Sequence, residues 1–265
     1  MHKTGLISMI IMPRVLPLLA VLYGVFVTTD CYAGRADTIS QIRLSIVGIG
    51  TAQKTRVPKV HVRGTGFVIL DGLHVITNAH VIAGNLNTKK GEFLAVLTGV
   101  GSAVSVRPAT VIGFEKETDL VVLKIKGPPI NSLDIGAAKE VREGDEYLFT
   151  GFPLGHVLGL YPVTHRGMIS AITPIVIPAK RSSLLTSSRI KRLRSPYKVF
   201  QLDAVAYPGN SGSPLYSSVD GSVVGVVNMV LVKKTKEGLL SSPSGIAYAI
   251  PVKHVRALLI KLGLL

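Results

Sequence analysis

Three short segments carry residue types that together could turn an alcohol into a nucleophile. Val75-Ile76-Thr77-Asn78-Ala79-His80-Val81-Ile82 is an apolar run ending in a small polar turn that bears His80. Glu117-Thr118-Asp119-Leu120-Val121-Val122-Leu123 places Asp119 directly before a second apolar run. Tyr207-Pro208-Gly209-Asn210-Ser211-Gly212-Ser213-Pro214-Leu215 sets Ser211 between glycines in a turn-forming stretch. A serine hydroxyl is a poor nucleophile unless a base lies within hydrogen-bond reach. Imidazole suits that task because it titrates near working pH. A carboxylate behind the ring fixes its tautomer and stabilises the imidazolium. Glycines beside the serine permit a sharp turn that aims the N–H groups of Gly209 and Ser211 at a developing oxyanion, each donor being worth ~3 kcal/mol.

Taken singly, each segment has a plainer reading. A histidine at a strand end is commonly a capping residue, Asp119 could form a turn, and Gly-Asn-Ser-Gly is an ordinary loop. Their joint occurrence in the order His, Asp, Ser, each at a strand boundary, is far more specific. An α/β-hydrolase runs Ser, acid, His on a G-x-S-x-G elbow. Here Ser213 occupies the last glycine position, and the histidine after Ser211 is His254, in a tail segment of helical spacing. His61, His74 and His80 are scattered without metal-ligand spacing, so no metal is expected. Gly48 to Gly50 lacks the third glycine of a dinucleotide fingerprint and no phosphate loop is found, so no cofactor is expected.

The elements that must position these residues read as strands. Short apolar–polar alternations span 42–47, 60–63 and 66–70, and similar runs recur at 93–98, 103–113, 119–126, 146–150, 163–177, 198–203, 222–232 and 244–250. Short runs in period two, punctuated by glycine, predict antiparallel strands and an all-β barrel or sandwich. Only Pro251 to Leu262 has helical spacing, through Val252, Val255, Leu258, Leu259 and Leu262, with Gly263 as its stop. The turn-rich stretch 127–145 divides two β subdomains.

Composition narrows the class further. The 265 residues are 47% hydrophobic, which supplies a core and excludes a disordered chain. With 30 Lys plus Arg against 15 Asp plus Glu, the formal net charge of +15 favours acidic partners. Eight Tyr, seven Phe and no Trp give few stacking platforms, and no dedicated nucleic-acid motif interleaves them with the basic residues. The stretch 178–198 carries Lys180, Arg181, Arg189, Lys191, Arg192, Arg194 and Lys198 without an acid. It reads as a solvated loop, with an acidic partner as the alternative.

The N-terminus reads as an address. Val15 to Val27 is an apolar stretch shorter than the ~20 residues of a membrane span, and it has the length of a signal-peptide core. Cys31-Tyr32-Ala33 ends in a small residue, so 1–33 is expected to be removed after Ala33, with Ala36 as the fallback and a retained anchor as the alternative. A start at Met12 would place Arg14 in a basic head. Cleavage would remove Cys31, the one cysteine, and leave no disulfide framework.

These segments resemble the chymotrypsin-fold serine proteases, specifically the protease domain of the bacterial HtrA/Deg family. The resemblance runs through Gly64-Thr65-Gly66-Phe67-Val68-Ile69, Thr77-Asn78-Ala79-His80-Val81, Thr118-Asp119-Leu120-Val121-Val122-Leu123, Val141-Arg142-Glu143-Gly144-Asp145, Gly151-Phe152-Pro153-Leu154-Gly155, Arg166-Gly167-Met168-Ile169-Ser170, Leu202-Asp203-Ala204, Pro208-Gly209-Asn210-Ser211-Gly212 and Gly245-Ile246-Ala247-Tyr248-Ala249-Ile250-Pro251. It implies two six-stranded antiparallel β-barrels of the chymotrypsin type with a short C-terminal helix. Placed on this sequence, the barrels fall at about 38–130 and about 140–250, and the helix at about 251–262, within a protease domain over 34–265.

The resemblance also assigns roles. His80 is the general base, Asp119 its orienter and Ser211 the nucleophile; the N–H groups of Gly209 and Ser211 form the oxyanion hole, with Asn210 as a further donor. Val205, six residues before the serine, lies at the bottom of the pocket for the residue preceding the cut bond, beside Ala206. Val227, Asn228, Met229, Val230 and Leu231, with Gly245 and Ile246, form its walls. None carries a carboxylate, so an apolar residue is expected before the cut rather than Lys or Arg. The implied activity is that of an exported, periplasmic serine endopeptidase acting on unfolded or damaged polypeptides, with a homo-oligomer expected. Three departures stand out: no PDZ domain is expected after Leu265, Ser213 replaces a family glycine, and 178–198 is a basic insertion. The alternative reading is a non-catalytic protease-like binder of peptides or anionic surfaces.

Overall fold

The computed structural model describes residues 34–101, 103–135, 140–155, 159–174, 196–228 and 245–265. The expected signal peptide, most of the basic stretch 178–198, and Met229, Val230 and Leu231 lie outside the described residues.

Among the described residues, twelve strands close into two barrels of six. The first contains β1 (Ile46–Ala52), β2 (Val60–Ile69), β3 (His74–Asn78), β4 (Phe93–Thr98), β5 (Ser105–Glu115) and β6 (Leu120–Ile125). They close in the order β1-β2-β3-β6-β5-β4, with antiparallel pairing throughout. The second contains β7 (Glu146–Gly151), β8 (Val163–Pro174), β9 (Lys198–Asp203), β10 (Pro214–Tyr216), β11 (Val223–Asn228) and β12 (Ile246–Pro251), closed as β10-β11-β12-β9-β8-β7. The expected all-β, two-barrel class therefore holds. Closure removes the free edges that short apolar strands would otherwise expose.

Burial follows from the strand sequences. Leu120-Val121-Val122-Leu123 is buried at every position, because one face fills barrel one and the other packs towards barrel two and the C-terminal helix. Phe67, Leu120 and Val122 from barrel one join Leu148, Phe152, Tyr216 and Val226 from barrel two in one apolar cluster. Burial of this kind is worth roughly 25 cal/mol per Å² of apolar surface, so the two barrels are held by a shared core as well as by their own.

Among the described residues, three helical elements of four or more residues accompany the strands: α1 (Arg35–Arg43), α2 (Ala79–Ile82) and α3 (Val252–Lys261). The C-terminal helix matches the expected segment. Pro251 sits at its N-cap, Val252, Val255, Leu258 and Leu259 are buried, and Gly263 follows with φ of 67°.

The first helix and the turn after it correct the reading of 42–45 as strand, while Ile46 and Val47 open β1 as expected. Ile42, Leu44 and Ile46 match period two, yet Ile42 pairs with Thr38 on one helical face and both are buried, while Leu44 is 56% exposed. The Asp37 carboxylate accepts from the Gly34 N–H at 3.1 Å at the start of this helix. That Asp at the third helical position was the legible start signal.

Candidate active site

Barrel one delivers the imidazole and the carboxylate. The apolar strand β3 ends at Asn78, and His80 follows as the second residue of the short helix α2. Asp119 stands in the turn between β5 and β6 with φ of 57°, a left-handed conformation that Asp tolerates better than most residues. Its main-chain carbonyl accepts from Ala79 N–H at 2.9 Å and from Asn78 Nδ2 at 3.2 Å. Its carboxylate reaches both the backbone and the ring of His80, with Oδ1 accepting from the His80 N–H at 2.8 Å and Oδ2 lying 2.6 Å from Nδ1. The other ring nitrogen, Nε2, is 2.9 Å from Ser211 Oγ.

Barrel two delivers the alcohol on the loop between β9 and β10. Two glycines shape that loop. Gly209 has φ of 105°, and a Cβ there would run into the Phe152 carbonyl oxygen. Gly212 has φ of 89°, and a Cβ there would overlap the Thr65 carbonyl and the Thr77 hydroxyl.

The loop is also bonded across to barrel one. Thr65 N–H donates to Ser211 O at 2.9 Å, and Thr65 Oγ1 donates to Gly209 O at 2.7 Å while accepting from Phe152 N–H at 3.0 Å. Thr77 Oγ1 in turn donates to Thr65 O at 2.6 Å. Carboxylate, imidazole and alcohol thus form one hydrogen-bonded chain across the barrel junction, an arrangement able to move a proton off Ser211 Oγ.

Several expected residues stand differently. The Asn210 N–H donates to Tyr207 O at 3.0 Å, so it is turned away from an oxyanion and is not the further donor expected. Asn228 is not a pocket wall through its side chain. Its Nδ2 donates to Asp119 Oδ2 at 2.8 Å, because the residue ends β11 beside the acid. Strand alternation explains Ile246, which lies on the outer face of β12 and is 43% exposed, while its neighbour Ala247 is fully buried. Gly245 is exposed, and a Cβ added there would meet no described residue within 4 Å other than its chain neighbours. Ala206, Val227 and Ala247 share one buried cluster with Ala204 and Ala249, and Val205 is half-buried beside them.

Sequence reasoning missed the bonding role of Asn228 and the part played by Thr65. An amide closing an otherwise apolar strand was the available signal for the first. His165 was also missed. Its ring stacks on Phe149 at 4.9 Å and lies 6.4 Å from the Tyr207 ring, and burial pushes its pKa below the ordinary value.

Fold and site together define the class of trypsin-like serine peptidases, which are hydrolases. The family model for the trypsin-like peptidase domain matches residues 64–226, and the chain belongs to that family. A probable periplasmic serine endoprotease, DegP-like, of Chlamydia pneumoniae is 31% identical over 204 residues, covering 77% of this chain and 35% of that relative. A serine protease, Do-like HtrA, of Lactococcus lactis subsp. cremoris is 31% identical over 190 residues, covering 71% of this chain and 41% of the relative. The chain therefore spans between a third and a half of the length of these two curated relatives. Among solved structures, the active form of the Rv3671c protease from M. tuberculosis superposes with a TM-score of 0.61 at 24% identity, covering 85% of this chain and 84% of that one. This likeness bears on the fold.

Proposed function

We propose that this chain is a serine endopeptidase in which Ser211 attacks the peptide carbonyl and His80 takes its proton. Asp119 holds the Nδ1–H tautomer and offsets the positive charge that forms on the ring. The N–H groups of Gly209 and Ser211 face the oxyanion of the tetrahedral intermediate. As the C–N bond breaks, His80 returns the proton to the leaving amine, and water then releases the acyl group by the same steps in reverse. The observation that carries this reading is the unbroken Asp119–His80–Ser211 chain, with spacings of 2.6 and 2.9 Å.

The substrate reading follows from the pocket. Val205 is half-buried beside the buried Ala206, and among the described residues expected around the pocket no carboxylate is present to hold Lys or Arg, which supports an apolar residue before the cut. Unfolded or damaged polypeptide is the proposed substrate class. Export is proposed from the N-terminal apolar stretch and from the likeness to the Chlamydia relative, which is named as a probable periplasmic serine endoprotease.

Purified protein is incubated with unfolded casein and, separately, with a fluorophosphonate probe. Hydrolysis and labelling are expected, and Ser211→Ala should lose both. Turnover persisting in that variant would overturn the assignment, and cleavage mostly after Lys or Arg would overturn the pocket reading.

A further inference from the structure

The reaction proposed above has two sides, and the side that receives the leaving amine contains a charged group so far without a role. His80 Nε2 hands its proton to that amine, so the chain beyond the cut bond must depart past the elements that flank His80. One is the end of α2. The other is β2, which is tied to the nucleophile by Thr65 N–H to Ser211 O at 2.9 Å. Gly64 is wedged between them, since a Cβ there would meet Val81 at 2.8 Å and Ser211 O at 3.0 Å.

Arg63 is the next residue out along β2. Its Nη1 donates to Ala83 O at 3.0 Å, three residues beyond His80. A Cβ added at Gly84 would meet only this guanidinium, at 3.6 Å, so the glycine leaves that face of the fork uncovered. Arg63 is partly exposed, and among the described residues no carboxylate pairs with it. A guanidinium has five N–H donors in a planar fork matched to a carboxylate, and the bond to Ala83 fixes its position while using one.

The geometry points to Arg63 as a specificity-determining residue that binds an Asp or Glu side chain at the first or second position after the cut bond. The substrate class is thereby an unfolded polypeptide with an apolar residue before the cut and an acidic one after it. This rests on the peptidase reading, and it assigns part of the chain's +15 charge a local task.

The test uses quenched fluorescent peptides, amidated at their C-termini, that are identical up to the cut and carry Glu, Ala or Lys at the two positions after it. A further peptide carries Glu well before the cut. The wild type should show kcat/KM about fivefold higher for Glu than for Ala after the cut, the scale of one partly exposed ion pair. Raising the salt concentration should shrink the ratio. Arg63→Ala should bring it to about one, Arg63→Glu should favour Lys, and Arg63→Lys should keep part of the preference. Fluorophosphonate labelling of Ser211 establishes that each variant has folded, and Arg63→Gln replaces any variant that does not label.

A wild-type ratio near one, or one that survives Arg63→Ala, overturns the inference. So does equal acceleration by Glu on either side of the cut, which would reflect the field of the whole chain. A wild type that neither labels nor cuts removes the peptidase reading and this inference with it. One that labels and cuts without acid preference removes this inference alone.

Discussion

Asn228 Nδ2 donates to the same carboxylate oxygen of Asp119, at 2.8 Å, that faces the His80 ring at 2.6 Å. The acid is thereby gripped from barrel two while its other oxygen is held by the His80 N–H of barrel one. A hydrogen bond to a charged group contributes ~1.5–3 kcal/mol. Asn228→Ala should therefore lower kcat by about tenfold with little change in KM, as measured by steady-state peptide hydrolysis. An unchanged kcat would mean that the grip on the acid is idle.

Gly209→Ala should cost far more. The substitution places a methyl group against the Phe152 carbonyl at a φ of 105°, so the loop must move. Displacing one oxyanion donor lowers kcat by ~10²-fold or more. The check is kcat together with the rate of fluorophosphonate labelling, and near-normal labelling would show that the hole does not depend on this turn.

Thr65→Val keeps the side-chain volume and removes the hydroxyl that bridges Gly209 O and Phe152 N–H. The buried Phe152 N–H and the partly buried Gly209 carbonyl lose a partner, and a buried orphan costs ~1–3 kcal/mol. Urea titration should show a lower unfolding midpoint, accompanied by reduced turnover. A midpoint equal to that of the wild type would argue against the bridge.

Acid should destabilise the fold through two histidines. Burial lowers the pKa of His165 and, together with the positive charge of Lys253, that of His254, below the ordinary 6.5. The folded chain therefore binds fewer protons at these rings than the unfolded chain does. Their contribution is complete above about pH 6.5 and is lost as pH falls below it through the folded values. Unfolding midpoints should fall between pH 7.5 and pH 5. His254→Phe, which keeps a ring against Tyr197, should flatten part of that fall. A midpoint that rises on acidification would contradict the sign.

What could be read from the sequence was whatever local chemistry dictates. Period-two runs such as Phe93–Thr98 and Lys198–Asp203 announced their strands because alternation reports the pleat directly. His80, Asp119 and Ser211 were legible because turn residues at strand ends have few reasons to be of those types together. Helix α1 was misread, since Ile42 and Leu44 mimic a strand until tertiary packing buries one and exposes the other. The direction of the Asn228 amide and the outward turn of Ile246 depend on where one strand stops relative to another barrel. No window of sequence contains that information.

Thr65 binds the nucleophile's loop from the opposite half of the molecule, with Thr77 holding the Thr65 carbonyl behind it, and that has a consequence for the life of the chain. His80 and Asp119 emerge from the ribosome long before Ser211, yet they meet no alcohol until the last strands close. On the proposed activity, cutting power is granted by the completion of folding, so an unfinished or half-collapsed copy stays harmless to its neighbours.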